Sequence, residues 1–135
     1  HANTYPAAAQ ALARRLGRAV GLAAGQRVAD IGVGGGESVL EWIETFDVAQ
    51  VTAVDRSHTM IAAAARRLNE RRHGTHVTLA TADASVWTMP HQSLDRVVVL
   101  DGAYHFADRP GFWRRAATWL CPGGRIGVTD LVVTR

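Results

Sequence analysis

The segment Arg27-Val28-Ala29-Asp30-Ile31-Gly32-Val33-Gly34-Gly35-Gly36-Glu37 constrains this chain more than any other, because a short apolar run enters a glycine loop and then a helix. Glycines at 32 and 34 can take positive φ and bring backbone N–H groups close to a ligand with no Cβ in the way. The helix that follows turns the positive end of its dipole toward the same place. Such a loop suits a ligand held by backbone.

The rest of the chain alternates helix and strand signals. Ala7 to Val20 carries Leu12, Leu16 and Val20 on one helical face and stops before Gly21. A helix from Ser38 to Phe46 follows the glycine loop, Ser57 can cap one running to about Arg72, and Asp108 can cap another with Pro110 in its first turn. Phe112, Trp113, Ala116, Trp119 and Leu120 form the apolar face of that last helix, and its tryptophans read as core rather than as ligand contacts. Apolar runs near Arg27, Val51, His76, Leu94 and Arg125 supply five strands. The alternation predicts a single α/β domain over residues 1–135, with a doubly wound, mainly parallel sheet, right-handed crossovers and helices on both faces. Ligands of such sheets sit at the carboxyl ends of the strands, where Asp30, Asp55, Asp83 and Asp101 all fall.

Two patterns compete for the loop. Dinucleotide folds ask for G-x-G-x-x-G, which would put the third glycine at position 37, where this chain has Glu37. Glycines 32, 34 and 36 instead read G-x-G-x-G behind Asp30. Asp55 then ends the run Val51-Thr52-Ala53-Val54, nineteen positions after Gly36 (55 − 36), where a carboxylate can accept both hydroxyls of a ribose. Ala80-Thr81-Ala82-Asp83-Ala84 closes a third strand with another acid, Leu94 to Asp101 gives a fourth, and Leu120-Cys121-Pro122-Gly123-Gly124-Arg125 turns into a fifth.

In these features, over roughly residues 27 to 133, the chain resembles the class I S-adenosylmethionine-dependent methyltransferases of the small-molecule type. The resemblance implies a Rossmann-like sheet of order 3-2-1-4-5, S-adenosylmethionine as cofactor and S-adenosylhomocysteine as product. It assigns Asp30, Gly32 and Gly34 to the cofactor loop, Asp55 to the ribose, and Asp83 with Ala84 to the adenine, with Asp101 on the same rim. Asp83 has a competing role as a cap for the segment toward Val86. Met60 stands where the family packs an apolar side chain on the adenine, with core packing as its alternative, and Arg56 lies either near the ribose or in solvent. One departure is that the family adds two strands after the fifth, whereas this chain ends at Arg135 and leaves an apolar edge. A trimmed piece of a longer protein, or a chain completed at that edge by a second copy or another partner, is therefore expected.

The loop Asp101-Gly102-Ala103-Tyr104-His105-Phe106 leaves the fourth strand where methyl donor and acceptor should meet. Its aromatic and histidine content resembles enzymes that modify quinones, sterols and natural products. It lacks the Pro-Pro-aromatic signature of amino-methylating DNA enzymes, the cysteine nucleophile of cytosine C5 enzymes and the paired glutamates of protein-arginine enzymes. A small, apolar or aromatic organic acceptor is the expected substrate, with no nucleic acid partner. His105 is the histidine placed to take a proton from a hydroxyl or an acidic carbon, against the alternative of orienting backbone or lining the pocket. Tyr104 and Phe106 can turn aromatic faces to a cation. The other reading kept open is a non-catalytic cofactor-binding or structural subunit, and a nicotinamide-dependent oxidoreductase is weaker because of Glu37.

Composition excludes several other classes. With 135 residues, 47% of them hydrophobic and 20% charged, the chain can build one sizeable core. No apolar run approaches the roughly 18 residues of a membrane span, and a cytoplasmic protein is expected. A lone Cys121 rules out an intrachain disulfide and a cysteine zinc cluster, and the histidines lack metal-ligand spacing, so no metal is expected. All fifteen basic residues are arginine, yet the net charge is only +3, and the run Arg66 to His73 reads as a solvated helix face.

Overall fold

Strand β1 (Arg27–Ile31) is buried along every residue after the first, a pattern available only to a strand covered on both faces. In the computed structural model, which describes residues 7–33, 36–100 and 106–129, it lies at the centre of a five-stranded sheet. Beside it run β2 (Gln50–Asp55), then β3 (Val77–Thr81), on one side, and β4 (Leu94–Val99), then β5 (Leu120–Val128), on the other. The order β3-β2-β1-β4-β5, with every pair parallel, is the expected one.

Helices α1 (Ala7–Val20), α2 (Glu37–Glu44), α3 (His58–Glu70) and α4 (Arg109–Trp119) complete the alternation. Ser57 caps α3 by accepting from the Met60 N–H at 3.2 Å, and Asp108 caps α4 by accepting from the Gly111 N–H at 3.0 Å. Two clusters of core residues follow the period of two along the strands. Val28, Val51, Ala53 and Val98 face α1, α2 and α3, meeting Leu16, Val20, Val39, Trp42, Ile43, Ile61 and Leu68. Ala29, Ile31, Val54, Val97 and Val99 face the other way, under Phe112, Ala116 and Trp119 of α4. Of the two α4 tryptophans read as core, Trp119 is fully buried and Trp113 is half-buried against the same cluster, while Trp42 is fully buried on the opposite face.

Two boundaries differ from the sequence reading. Leu120 is not on the apolar face of α4 but opens β5, pairing with Leu94. The next paired position is Arg96 with Arg125, so Cys121-Pro122-Gly123-Gly124 bulges out of a strand that has already begun, rather than forming a turn ahead of it. The α2 terminus shows why residue 36 is glycine: its φ is +90°, and a Cβ there would lie 2.9 Å from the Cβ of Ala64 on α3.

Candidate functional site

Because all five strands are parallel, their carboxyl ends share one rim, and a cavity of about 470 Å³ opens there. That volume falls within the roughly 300–1,000 Å³ of small-molecule sites. Gly32, at the end of β1, has φ +77° and nothing within 4 Å of where a Cβ would project, so the loop backbone faces open space. The Gly32 and Val33 N–H groups both donate to the Val54 carbonyl, at 2.7 and 3.3 Å, which fixes the start of the loop to the end of β2. Asp55 follows Val54 on the cavity wall, and its Oδ1 accepts from the Ser57 N–H at 2.8 Å, so the carboxylate is oriented by the turn that starts α3. Arg56 and Met60 line the same wall, and Met60 is 46% exposed, a large apolar side chain held at the rim rather than in the core.

The third side is the segment after β3. Asp83 lines the cavity with Ala82, Ala84 and Ser85, and its Oδ1 accepts from the Ser85 N–H at 2.9 Å. Hydrogen bonding from Ser85, with Arg56 and Arg115 nearby, holds the Asp83 carboxyl below the usual carboxylate range, so it is an anion at neutral pH. The Val86 and Trp87 N–H groups donate to the Asp83 carbonyl at 3.1 and 3.0 Å, so the capping alternative and the cavity position belong to one and the same turn. Phe106, Ala107 and Phe112 close the cavity with apolar surface, and the two phenyl rings meet at a tilt of 44° with centroids 4.6 Å apart.

Asp30 is placed differently from the other predicted residues. Alternation along β1 sends Ile31 to the cavity side and Asp30 to the α2 side with Val28. There it is fully buried, accepting on Oδ2 from Ser38 Oγ at 2.8 Å and from Trp42 Nε1 at 2.7 Å, while Oδ1 has no hydrogen-bond partner among the described residues. Burial pushes its carboxyl up to about 6, Asp55 adding to the push and the two hydrogen bonds opposing it. Asp30 therefore sits beneath the glycine loop and joins β1 to α2.

The structure thus gathers Gly32, Asp55, Arg56, Met60, Asp83 and Ala84 around one cavity, and leaves Asp30 behind its wall. Gly34, Asp101, Tyr104 and His105 lie outside the described residues. Among the described residues no three His, Cys, Asp or Glu side chains cluster as metal ligands would, and no helix is long and apolar enough to cross a membrane. Sequence reasoning missed Phe112 as a wall residue, because a buried aromatic on an amphipathic helix carries no mark of which cavity it borders. It also missed Ser38 and Trp42, although their spacing of four on a helix starting just after the loop places both on one face, the one Asp30 meets.

Residues 28–124, more than half of the chain, match the family model described as a methyltransferase domain. The chain is 29% identical over 123 residues to the erythromycin 3''-O-methyltransferase of Saccharopolyspora erythraea, covering 91% of this chain and 40% of that protein. It is 33% identical over 130 residues to the 27-O-demethylrifamycin SV methyltransferase of Amycolatopsis mediterranei, covering 96% and 47%. It is also similar to the crystal structure of an S-adenosylmethionine-dependent methyltransferase from Geobacter sulfurreducens in complex with S-adenosylhomocysteine, at 27% identity and a TM-score of 0.76, covering 87% of this chain and 47% of that one. The chain therefore spans less than half the length of each of these relatives.

Proposed function

The chain belongs to the methyltransferase domain family, and from that membership we propose that it binds S-adenosylmethionine in the rim cavity and transfers its methyl group to a small, apolar or aromatic organic acceptor. The single observation that carries the reading is the convergence of Gly32, Asp55, Met60 and Asp83 from three strand ends on one cavity. The residues fit the cofactor by their chemistry. Asp55 is an oriented acceptor for vicinal hydroxyls, Asp83 an anionic acceptor for an exocyclic amine, Met60 and Ala84 apolar surface for a purine face, and Gly32 a backbone with room beside it.

The cofactor supplies a methyl group made electrophilic by a sulfonium. What the chain contributes is alignment and exclusion of water, which is most of what an in-line displacement requires. Phe106 and Phe112 form the apolar side of the cavity and keep competing water from the reacting atoms. Asp30 acts from below, holding β1 and α2 in the relation that shapes the glycine loop. On the resemblance in sequence alone, Tyr104 and His105 are assigned to the acceptor side and Asp101 to the cofactor, with His105 as proton acceptor for hydroxyl substrates. The natural-product names of the two macrolide- and rifamycin-modifying relatives support a small hydroxylated acceptor for this chain as well.

Calorimetric titration with S-adenosylhomocysteine, with a nicotinamide dinucleotide as control, tests the cofactor. Micromolar binding of the first alone is expected. Asp55→Ala should weaken it by about ten- to a hundredfold, the cost of leaving the ribose hydroxyls without a charged acceptor at roughly 1.5–3 kcal/mol. Binding by the variant equal to wild type removes Asp55 from the site. Cofactor binding without methyl transfer to any hydroxylated acceptor would instead favour a non-catalytic subunit.

A further inference from the structure

The segment that carries Asp83 into the cavity is tied to the sheet ahead of Asp83 by the Ala82 N–H, which donates to the Asp55 carbonyl at 3.0 Å. After Asp83 it is held by Trp119, whose Nε1 donates to Thr88 Oγ1 at 3.0 Å and whose ring meets Trp87 edge-on. Between these points the turn's carbonyls are held by one side chain. Arg115, in the second half of α4, is half-buried and reaches across to the chain that leaves β3. Its Nε donates to the Trp87 carbonyl at 3.1 Å and an Nη donates to the Ala84 carbonyl in a short bond, so one guanidinium closes both ends of the Ala84–Trp87 turn. The same guanidinium lies 5.6 Å from the centroid of Phe112, which lines the cavity. A planar fork with fixed donor directions suits two carbonyls at once, whereas a single ammonium cannot reach both with good geometry. The remaining hydrogen bonds described for this turn are local, from Ser85, Val86 and Trp87 back to Asp83. They shape the turn, and among its described hydrogen bonds those from Arg115 are the ones that join the turn's own carbonyls to α4.

We infer that Arg115 is a positioning residue that sets how tightly and how selectively the cavity reads the base edge of the adenosine group, by tethering the Ala84–Trp87 turn and with it the Asp83 carboxylate. The inference rests on the proposed cofactor reading, in which Asp83 accepts from the adenine amine. Arg115 is not among the residues that line the cavity; it acts through Asp83 and through the placement of Phe112.

The test compares S-adenosylhomocysteine with S-inosylhomocysteine, in which an oxygen replaces the amine, for wild type, Arg115→Met and Arg115→Lys. Wild type should prefer the amine by about tenfold, one hydrogen bond to a charged group. Arg115→Met should lose most of that preference, and Arg115→Lys, able to hold one carbonyl only, should fall between. Without ligand, hydrogen exchange at the Val86 and Trp87 amides should speed up in both variants while the α4 amides keep their protection. A merely structural arginine would lower affinity for both ligands equally and leave their ratio unchanged. If Arg115→Met does not fold, the lysine variant decides. Wild type that binds neither ligand removes the cofactor reading and this inference together. Wild type that binds with a preference the folded variants retain, or that binds both ligands equally, overturns the role of Arg115 alone.

Discussion

Replacing Asp30 by Asn should remove a fall in stability that the wild-type chain undergoes as pH rises. In the folded chain the Asp30 carboxyl is raised from its ordinary 3.8 to about 6, first by complete burial. A carboxyl whose folded value is raised binds more protons folded than unfolded between those two values. Stability therefore falls as pH rises through that window, the opposite of a salt-bridged acid. At about 1.4 kcal/mol for each pH unit, the ionised carboxylate costs the fold about 3 kcal/mol above pH 6. Asparagine cannot ionise, and its carbonyl oxygen can still accept from Ser38 Oγ–H and Trp42 Nε1–H. Urea unfolding followed by far-ultraviolet circular dichroism, at intervals from pH 3.5 to 7.5, gives the free energy of each protein. Carboxyls that do not interact with Asp30 cancel in the difference, and Asp55, the smallest of the influences on Asp30, leaves only a minor remainder. Wild type minus Asp30→Asn should drop by about 3 kcal/mol across the window and be flat above it. A difference that stays level from pH 3.5 to 7.5, or that rises, would refute the account of a carboxylate held ionised in the core at its own expense.

Other outcomes follow from the same structure. Gly36→Ala should lower stability by about 1–3 kcal/mol, from positive φ and the approach to Ala64, and Ala64→Gly in the same chain should relieve only the contact part; thermal unfolding of both measures this. Glu41 is pushed up by burial, but Arg14 at 2.7 Å with Gln10 and Thr45 at 2.9 Å more than offset that and hold it below its usual value. Its contribution is thus present above the ordinary glutamate range and lost as pH falls below it. Glu41→Gln should cost about 1–2 kcal/mol at pH 7 and little at pH 3, read by denaturant midpoints.

The strand order and the four helices were legible because each has a period or a cap that a sequence prints directly: Ser57 and Asp108 three residues ahead of the N–H groups they accept from, and apolar runs of strand length between helical faces. The cavity residues Gly32, Asp55, Met60 and Asp83 were legible because chain order in a parallel sheet becomes spatial order along one rim. Asp30 shows where that reasoning stops. Its distance from the glycines suits a cofactor contact, but the alternation of β1 turns it to the side of Trp42, and no spacing rule distinguishes a residue on the rim from one beneath it. Arg115 was invisible for another reason. Its partners Ala84 and Trp87 lie 31 and 28 residues earlier and are backbone carbonyls, which leave no trace in residue type. The bulge at Cys121-Pro122-Gly123-Gly124 was misread as a turn because glycine and proline mark both equally well.

The reach of Arg115 also bears on when the site comes into being. The glycine loop, Asp55 and Asp83 have all left the ribosome well before α4, and β1, β2 and β3 can pair without it. Their far face is Ala29, Ile31 and Val54, which wait for Phe112, Ala116 and Trp119 to cover them. Closing the loop from residue 84 to residue 115 carries an entropic cost that the early strands cannot recover by themselves. A nascent chain ending before α4 would thus hold half a core and an untethered turn. Docking of that one helix would order the cavity wall and cover the open face of the early strands in a single late step, with β5 pairing onto β4 directly after it, so that folding and ligand competence arrive close together.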